Sequence, residues 1–460
     1  MLQLYNFLTI NYAWKNKNVI LYTNQFNLVL DYHLNKNYYR TLVQHLSKNK
    51  NKIMSFKVLD SFIIRDMKYF YGSDKLSTKA SINAINSKKI KRWNASYTGE
   101  IGEALKIEAI KKEFPRLPDI LLNNMLMHTS QGAIIYASEK EAKDVYSYDV
   151  TSAYPSILLG KVPYSFKRIM QYNPNKVCFG KITIKNFKAK YKNLIPLYKG
   201  KENPKECIVC GKRIYAGLNY TYYGFIKDEL RILNTYYNYE SLKISDLYEC
   251  EMDYLPRESR TSIINLFNRK NNAKGTEDYE GYKQMFNRLF GYFITTYKDK
   301  KELKIRDKRV PYQVGLWIIS QQRQIMLDAI DKVGIDKVVS CHTDGVKVIG
   351  NHDIDFKELN NKRGTIYKNI GHWSKEEHID RIQYLSNVKA KYEVNGKLYM
   401  KHGGISDEDI EEFLANKTYD SITLDSKIKV TLKEKITETK KGTFIARQRV
   451  LIPIKILNER

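Results

Sequence analysis

The stretch Tyr146-Ser-Tyr-Asp-Val-Thr-Ser-Ala-Tyr-Pro-Ser-Ile-Leu-Leu159 constrains this chain more than any other. Val145 to Val150 alternates aromatic and small residues up to Asp149. That is the pattern of a short strand delivering a carboxylate to its C-terminal end. Thr151 to Ser156 then turns the chain, Pro155 suits the first turn of a helix, and Ile157 to Leu159 anchors the turn in a core. A carboxylate beside a backbone turn suits a hard cation, which takes oxygen ligands. A helix cap or a turn residue is the alternative on this stretch alone.

A second stretch, Val338-Val-Ser-Cys-His-Thr-Asp-Gly-Val-Lys-Val-Ile349, reads as strand, tight turn, strand. Asp-Gly between apolar runs is a hairpin signal, so Asp344 is expected at the tip. Two carboxylates on strand ends can share a pair of Mg2+ ions. Between them, Lys283-Gln-Met-Phe-Asn-Arg-Leu-Phe-Gly291 predicts a helix. Lys283 and Asn287, four residues apart, share one of its faces.

These three stretches resemble the motifs of family B DNA polymerases. Asp149-x-x-Ser152-x-Tyr154-Pro155 is similar to motif A, and Lys283-x-x-x-Asn287-x-x-Phe290-Gly291 is similar to motif B. Thr343-Asp344 in its hairpin is similar to motif C. Lys283 follows Asp149 by 134 residues and Asp344 follows Lys283 by 61. That order and spacing resemble the protein-primed branch of phages and linear plasmids. The likeness runs from about Gln131 to Gly404.

The resemblance implies an α/β (α+β) right-hand polymerase. It would comprise a palm of antiparallel sheet plus helices, with fingers and thumb, preceded by a reduced exonuclease-like domain. The expected boundaries are 1–125 for that N-terminal domain and 126–255 for the first palm part with an insertion. The fingers would follow at 256–293, the second palm part at 294–384 and the thumb at 385–460. The insertion leaves room for a region that grips a terminal protein. Asp149 and Asp344 would bridge two Mg2+ ions, with Mn2+ a possible substitute, helped by the carbonyl of Val150. Lys283, with Arg269 or Lys270, would neutralise the triphosphate of an incoming dNTP beside Asn287, and Tyr154 would exclude a 2′-OH. Gly132, in Gln131-Gly132-Ala133, occupies the place of a glycine linker that contacts template. Gly291 closes motif B. Lys389, Lys391 and Tyr392 match a Lys-x-Tyr that touches the primer end, with the lysine displaced by one. Lys401 opens a basic-glycine turn, Lys401-His-Gly-Gly404, that would start the thumb. The implied partners are DNA primer–template, dNTPs and a terminal protein primer.

Three positions depart from the family pattern. His342 stands for the first Asp of Asp-Thr-Asp-Ser, Gly345 for its Ser, and Ala153 for a Leu before Tyr154. The main ligands are kept, so activity is expected to survive. The exonuclease motifs are missing. The first 99 residues hold Asp31, Asp60, Asp66 and Asp74 but no Glu, so no Asp-x-Glu is possible there. A two-metal hydrolytic site needs clustered carboxylates, so proofreading is expected to be absent. An unrelated helper domain is the alternative for this region.

Composition agrees with a polyanionic partner: 78 Lys and Arg against 50 Asp and Glu give +28. The 36 tyrosines offer faces for stacking on bases, though an AT-rich genome is an equal source of the bias. An odd number of cysteines, five, gives no disulfide framework. Cys207-Ile-Val-Cys210 looks like a zinc knuckle, but no second pair completes four ligands, so a hairpin with reduced thiols is preferred. No run of 18 apolar residues and no signal-peptide pattern is seen, which predicts a cytoplasmic protein without membrane partners. Along the chain, strands are predicted at Asn18–Tyr22, Lys52–Leu59 and Ser426–Lys433. Helices are predicted at Tyr38–Leu46, Glu100–Phe114 and Val314–Val333, and a short hairpin within Thr295–Val310. Two other function classes stay open: an inactive or accessory nucleic-acid binder on the same fold, and a template-independent or RNA-copying nucleotidyltransferase.

Overall fold

In a computed structural model, the described residues are 97–420, apart from 130–131, 139, 192–193, 202–203, 211, 277–278, 300–301, 365–366, 387–388, 403–413 and 415–417. Strands at 11–15, 18–23, 43–49, 52–58, 62–66, 428–439 and 442–453 are described as backbone. The chain divides into two units. One comprises Met1–Leu122, Tyr154–Lys167 and Cys250–Ile318; the other comprises Asn123–Ala153, Arg168–Glu249 and Ile319–Arg460.

The first unit begins with β1 (Asn11–Lys15), β2 (Asn18–Thr23), β3 (Val43–Asn49), β4 (Lys52–Val58) and β5 (Phe62–Asp66). They form one sheet in the order β1-β2-β5-β4-β3. The strands predicted at Asn18 and Lys52 are present. The helix predicted over Tyr38–Leu46 is not, because Val43 to Asn49 pairs along β4. Its remaining residues lie outside the described ones. The helix predicted over Glu100–Phe114 is two helices, α1 (Tyr97–Ala104) and α2 (Ile107–Glu113). Lys106 breaks it with φ 53°. Leu105 and Ile107 are both buried, yet residues two apart on one helix point to nearly opposite sides, so both can turn inward only if the helix is interrupted.

Next come α3 (Asp119–His128), β6 (Ile135–Ala137), β7 (Ala142–Val150), α4 (Ala153–Leu158) and β8 (Lys161–Ile169). A sheet-rich stretch follows: β9 (Cys178–Ala189), β10 (Cys207–Cys210), β11 (Arg213–Phe225), α5 (Ile226–Tyr236), β12 (Tyr237–Asn238) and β13 (Ser241–Tyr254). Cys207 to Cys210 is therefore a strand rather than a knuckle. Burial pushes the Cys207 thiol up to about 11, and it stays protonated. Two helices, α6 (Arg257–Asn272) and α7 (Tyr279–Asn287), occupy the segment expected to form the fingers. The motif B helix ends at Asn287 rather than Gly291, and i→i+3 bonds from Arg288 and Leu289 lead into a 3-10 turn at Phe290–Tyr292. The predicted short hairpin is β14 (Thr296–Asp299) with β15 (Glu302–Ile305).

The long helix α8 (Tyr312–Val333) has the predicted apolar period, with Ile318, Met326, Leu327 and Ile330 buried. After it come β16 (Val338–His342), β17 (Gly345–Ile349), α9 (Asp353–Arg363), β18 (Trp373–Ser386), β19 (Lys389–Val394), β20 (Lys397–His402), β21 (Ile428–Thr439) and β22 (Gly442–Pro453). The second unit is built on an antiparallel sheet in the order β20-β19-β18-β7-β17-β16-β6. One face buries Ala142, Val145, Val339, Ile379, Ile382, Tyr384 and Ala390 as a core. Tyr148 stacks on Phe356 of α9 at 3.9 Å, and Phe356 packs on Trp373. The last two strands pair as one long hairpin that includes the predicted basic strand. Among the described residues no helix is long and apolar enough to cross a membrane.

One buried ion pair locks α8 to α5. Arg323 bonds Glu229 Oε1 at 2.8 Å and the Pro196 carbonyl at 2.8 Å, and the Tyr222 hydroxyl donates to Glu229. The two side chains are 2% and 3% exposed. Removing one partner leaves the other charge buried and uncompensated. Arg323→Met is therefore expected to lower the unfolding free energy by about 3–5 kcal/mol in urea denaturation. A loss below about 1 kcal/mol would mean the pair is not what holds the two helices.

Candidate active site

Asp149 is the penultimate residue of β7, which lies between β17 and β18. Sheet register pairs it with Gly345 on one side and Ser374 on the other. Asp344 directly precedes Gly345 in a two-residue turn, and Thr343 takes φ 51° there. The Val150 amide donates to the Asp344 carbonyl at 2.9 Å, so the backbone ties the two acidic positions together. From α8, Gln322 donates to the Thr343 carbonyl at 3.1 Å and steadies the turn. The Thr343 hydroxyl donates to Asp344 Oδ1 at 2.6 Å. A Cβ on residue 345 would lie 3.0 Å from Asp149 Oδ1, so glycine there keeps the approach to the carboxylate open.

Glu376 of β18 adds a third acidic side chain that the motifs did not reveal. Ser374 sits opposite Asp149, and its hydroxyl lies 3.3 Å from the Asp149 carbonyl and 3.1 Å from Glu376 Oε1. A register shift between Lys375 and Glu377 is what sets residue 376 there. In the sequence, Glu376 is only half of an acidic pair after Trp373. Burial, then the charges of Asp344 and Glu376, push the Asp149 carboxyl up to about 7. Crowded, partly desolvated carboxylates are what a divalent cation relieves.

These residues fit magnesium. Mg2+ keeps several waters and is usually held by one or two carboxylates plus substrate phosphates. Asp149 and Asp344 meet that demand. Among the described residues, no group of three or more His, Cys, Asp or Glu side chains is arranged to enclose an ion by itself. His342 cannot stand in for a carboxylate. Burial and the neighbouring cations Lys401, Lys347 and Arg213 push its imidazole down to about 4, so it is neutral.

The other predicted residues are placed as follows. In the first unit, Tyr154 of motif A stacks on Phe290 of motif B, centroids 4.2 Å apart. Arg269, Lys283 and Asn287 are exposed on α6 and α7, with Lys283 over the Tyr279 ring. Lys270 departs from expectation. It is buried between the rings of Phe267 and Phe286, and burial, then Lys274 and Lys283, push its ammonium down to about 8. Gly291 has open space at its Cα. In the second unit, Gly132 takes φ 143°, and a Cβ there would meet the Tyr198 ring at 2.8 Å. Tyr392 stacks on Tyr399, and Lys401 is exposed. Lys391 is a second departure: it is 6% exposed, bonds the Tyr419 carbonyl at 2.9 Å and lies over the Tyr419 ring, so its ammonium is held inside. The Lys389 side chain and the Gly-Gly of the basic turn lie outside the described residues.

The crowding of carboxylates has a measurable sign. Removing a neighbouring negative charge favours ionised Asp149 and lowers its titration midpoint. In cation-free protein, Asp344→Asn is expected to lower the midpoint of the Asp149 carboxyl from about 7. Glu376→Gln is expected to lower it by less, because Asp344 contributes the larger repulsion. Carbon-13 chemical shifts followed against pH read both midpoints, and the opposite order would mean that Glu376 is the closer charge.

No protein-family model matches the chain, and no curated protein matches it significantly. Solved structures do. The chain is similar to phi29 DNA polymerase complexed with primer–template DNA and incoming nucleotide substrates, at TM-score 0.65 and 15% identity, covering 94% of this chain and 91% of that one. Phi29 DNA polymerase complexed with single-stranded DNA matches at TM-score 0.61 and 15% identity, over 89% and 85% of the two chains. The orthorhombic crystal form matches at TM-score 0.58 and 16% identity, over 82% and 70%. The likeness to the protein-primed polymerases of family B, read from three short motifs, is borne out by these neighbours: the chain has the fold of phi29 DNA polymerase.

Proposed function

We propose that this chain is a template-directed DNA polymerase that adds deoxynucleotides to a primer hydroxyl, either a DNA 3′-OH or that of a terminal protein. The observation that carries the reading is the pairing of Asp149 with Gly345 beside Asp344, on the fold of phi29 DNA polymerase. Asp149, Asp344 and the Val150 carbonyl would hold two Mg2+ ions, which would supply activation of the primer hydroxyl and neutralisation of the triphosphate and leaving pyrophosphate. Glu376 adds negative charge beside Asp149. Lys283 and Arg269 neutralise the β and γ phosphates, with Asn287 alongside. Lys270, enclosed by two aromatic rings, supports the hairpin that carries them. Tyr154, braced by Phe290, lies under the sugar. Gly132, Gly291, Lys389, Tyr392 and Lys401 contact template and primer. The domain boundaries, a phage or plasmid replication role and a cytoplasmic location belong to the same proposal. So does the lack of proofreading, which rests on the carboxylate-poor first 99 residues.

Mg2+-dependent extension of a primer is expected, and Asp149→Ala or Asp344→Ala is expected to abolish it, a loss of several kcal/mol of transition-state stabilisation. DNA binding should survive, since phosphate contacts come from Lys and Arg. Normal extension by both variants would sink the assignment of the two aspartates. Extension without template, or with ribonucleotides as readily as deoxynucleotides, would favour a different nucleotidyltransferase. Without nucleotides, a mismatched primer is expected to stay intact.

Tyr154→Val removes the ring beneath the sugar. The variant is expected to incorporate ribonucleotides at least tenfold more readily relative to deoxynucleotides, a change of about 1.4 kcal/mol or more in the barrier. Competition between labelled ATP and dATP measures it, and unchanged discrimination would place the gate elsewhere.

A further inference from the structure

In the second unit, the sheet containing β13, β9 and β11 turns part of one face to solvent. Its register aligns three cross-strand rows: Ser241, Lys185 and Asn219; Lys243, Thr183 and Thr221; Ser245, Lys181 and Tyr223. The alternate residues Ile182, Ile184, Tyr220 and Tyr222 are buried. Side chains alternate faces along a strand, so the rows share the opposite face, which is open to solvent along the first two; in the third, Tyr223 is buried and the Lys181 ammonium lies over its ring at 5.9 Å. Lys185, Asn219, Thr221, Ser241 and Lys243 are exposed.

No row contains a carboxylate. Two acids lie at the margin: Asp246 accepts from the Tyr223 hydroxyl at 2.5 Å and pairs with Arg168 at 3.7 Å, and Glu240 accepts from the Asn186 amide. The hydroxyls of Thr183 and Thr221 bond each other at 2.9 Å across the face. Lysines that guard a sheet against aggregation sit on edge strands. Lys181 and Lys185 lie instead on β9, whose neighbours on either side are β11 and β13. Edge protection therefore does not account for them.

We infer that this face binds the backbone of single-stranded DNA, without reading its bases, as a surface additional to the proposed primer–template site. Lysine ammoniums, hydroxyls and an amide are the groups that contact phosphate and sugar. Lys181 and Lys185 are about 13 Å apart along β9, and Lys243 is one strand, about 5 Å, to the side. That track is one backbone wide. A duplex, whose two backbones are separated by grooves about 6 and 12 Å wide, reaches it with only one of its strands. The inference rests on the proposed function only for the source of the strand, an unpaired length of template or of displaced DNA.

The test uses the full chain with an excess of unlabelled hairpin primer–template, and reads binding of fluorescent oligo-dT by anisotropy across a salt series. Each lysine–phosphate contact on a single strand contributes about 0.7 to the slope of log K against log salt. The triple variant K181A/K185A/K243A is expected to show a slope shallower by about 2, with extension of the hairpin unchanged. Lys185→Ala and Lys243→Ala alone are each expected to remove about 0.7, and the triple arginine variant to remove nothing. An unchanged oligo-dT slope overturns the inference. So does an equal drop for duplex DNA, which would make the face a general polyanion surface, or a loss confined to polyglutamate, which would make it a site for an acidic protein. If the wild-type chain extends no primer yet the oligo-dT slope still falls by about 2, the proposed function fails and this inference stands.

Discussion

The pairing of β7 with β17 is the constraint on which the candidate site depends. It sets Asp149 opposite Gly345, and the amide of Val150 on the carbonyl of Asp344 closes the ladder at its end. Two residues far apart in sequence are thereby held by main-chain hydrogen bonds rather than by their own side chains. That matters because the side chains repel. A carboxylate pushed up to about 7 by burial and by like charges would be driven apart on a loop. On paired strands, backed by the stack of Tyr148 on Phe356, it cannot move away, so the like charges stay close.

The glycine in this hairpin serves that arrangement directly. A side chain at position 345 would press on Asp149 Oδ1, so the absence of Cβ preserves access to the carboxylate. The turn residue that does adopt a left-handed backbone is Thr343, held from α8 by Gln322. At the preceding position His342 is neutral, and the third acidic group near Asp149 comes from the neighbouring strand β18 instead.

The basic excess of the chain is not a uniform coat. Lys391 and Lys270 are inside, one bonded to the Tyr419 carbonyl and the other flanked by two phenylalanine rings, and they brace elements that carry other cations. Lys185 and Lys243 sit on an open part of a sheet face with hydroxyl neighbours, and Lys181 lies beside them over the Tyr223 ring. Lysine stems pack well against apolar surface, so the charge of a lysine in the sequence does not tell where its ammonium ends.

What the sequence determined by itself is what short-range patterns encode. Alternation up to Asp149, the Asp-Gly signal after it in the hairpin, and the apolar period of α8 each depend on neighbours a few residues apart, and each element is present. The three motifs were legible for the same reason, and with them the fold. The misses are all decisions taken across long distances. The stretch around Val43 became a strand because β4 was available to pair with it. The helix before Phe114 broke at Lys106 so that Leu105 and Ile107 could both be buried. Lys270 and Lys391 were withdrawn by rings and a carbonyl supplied from elsewhere. Glu376 joined Asp149 through a register shift in β18. Local pattern fixes which residues can form a strand or a helix, but only tertiary packing fixes which charges share a low-dielectric neighbourhood, because that depends on strand register and burial.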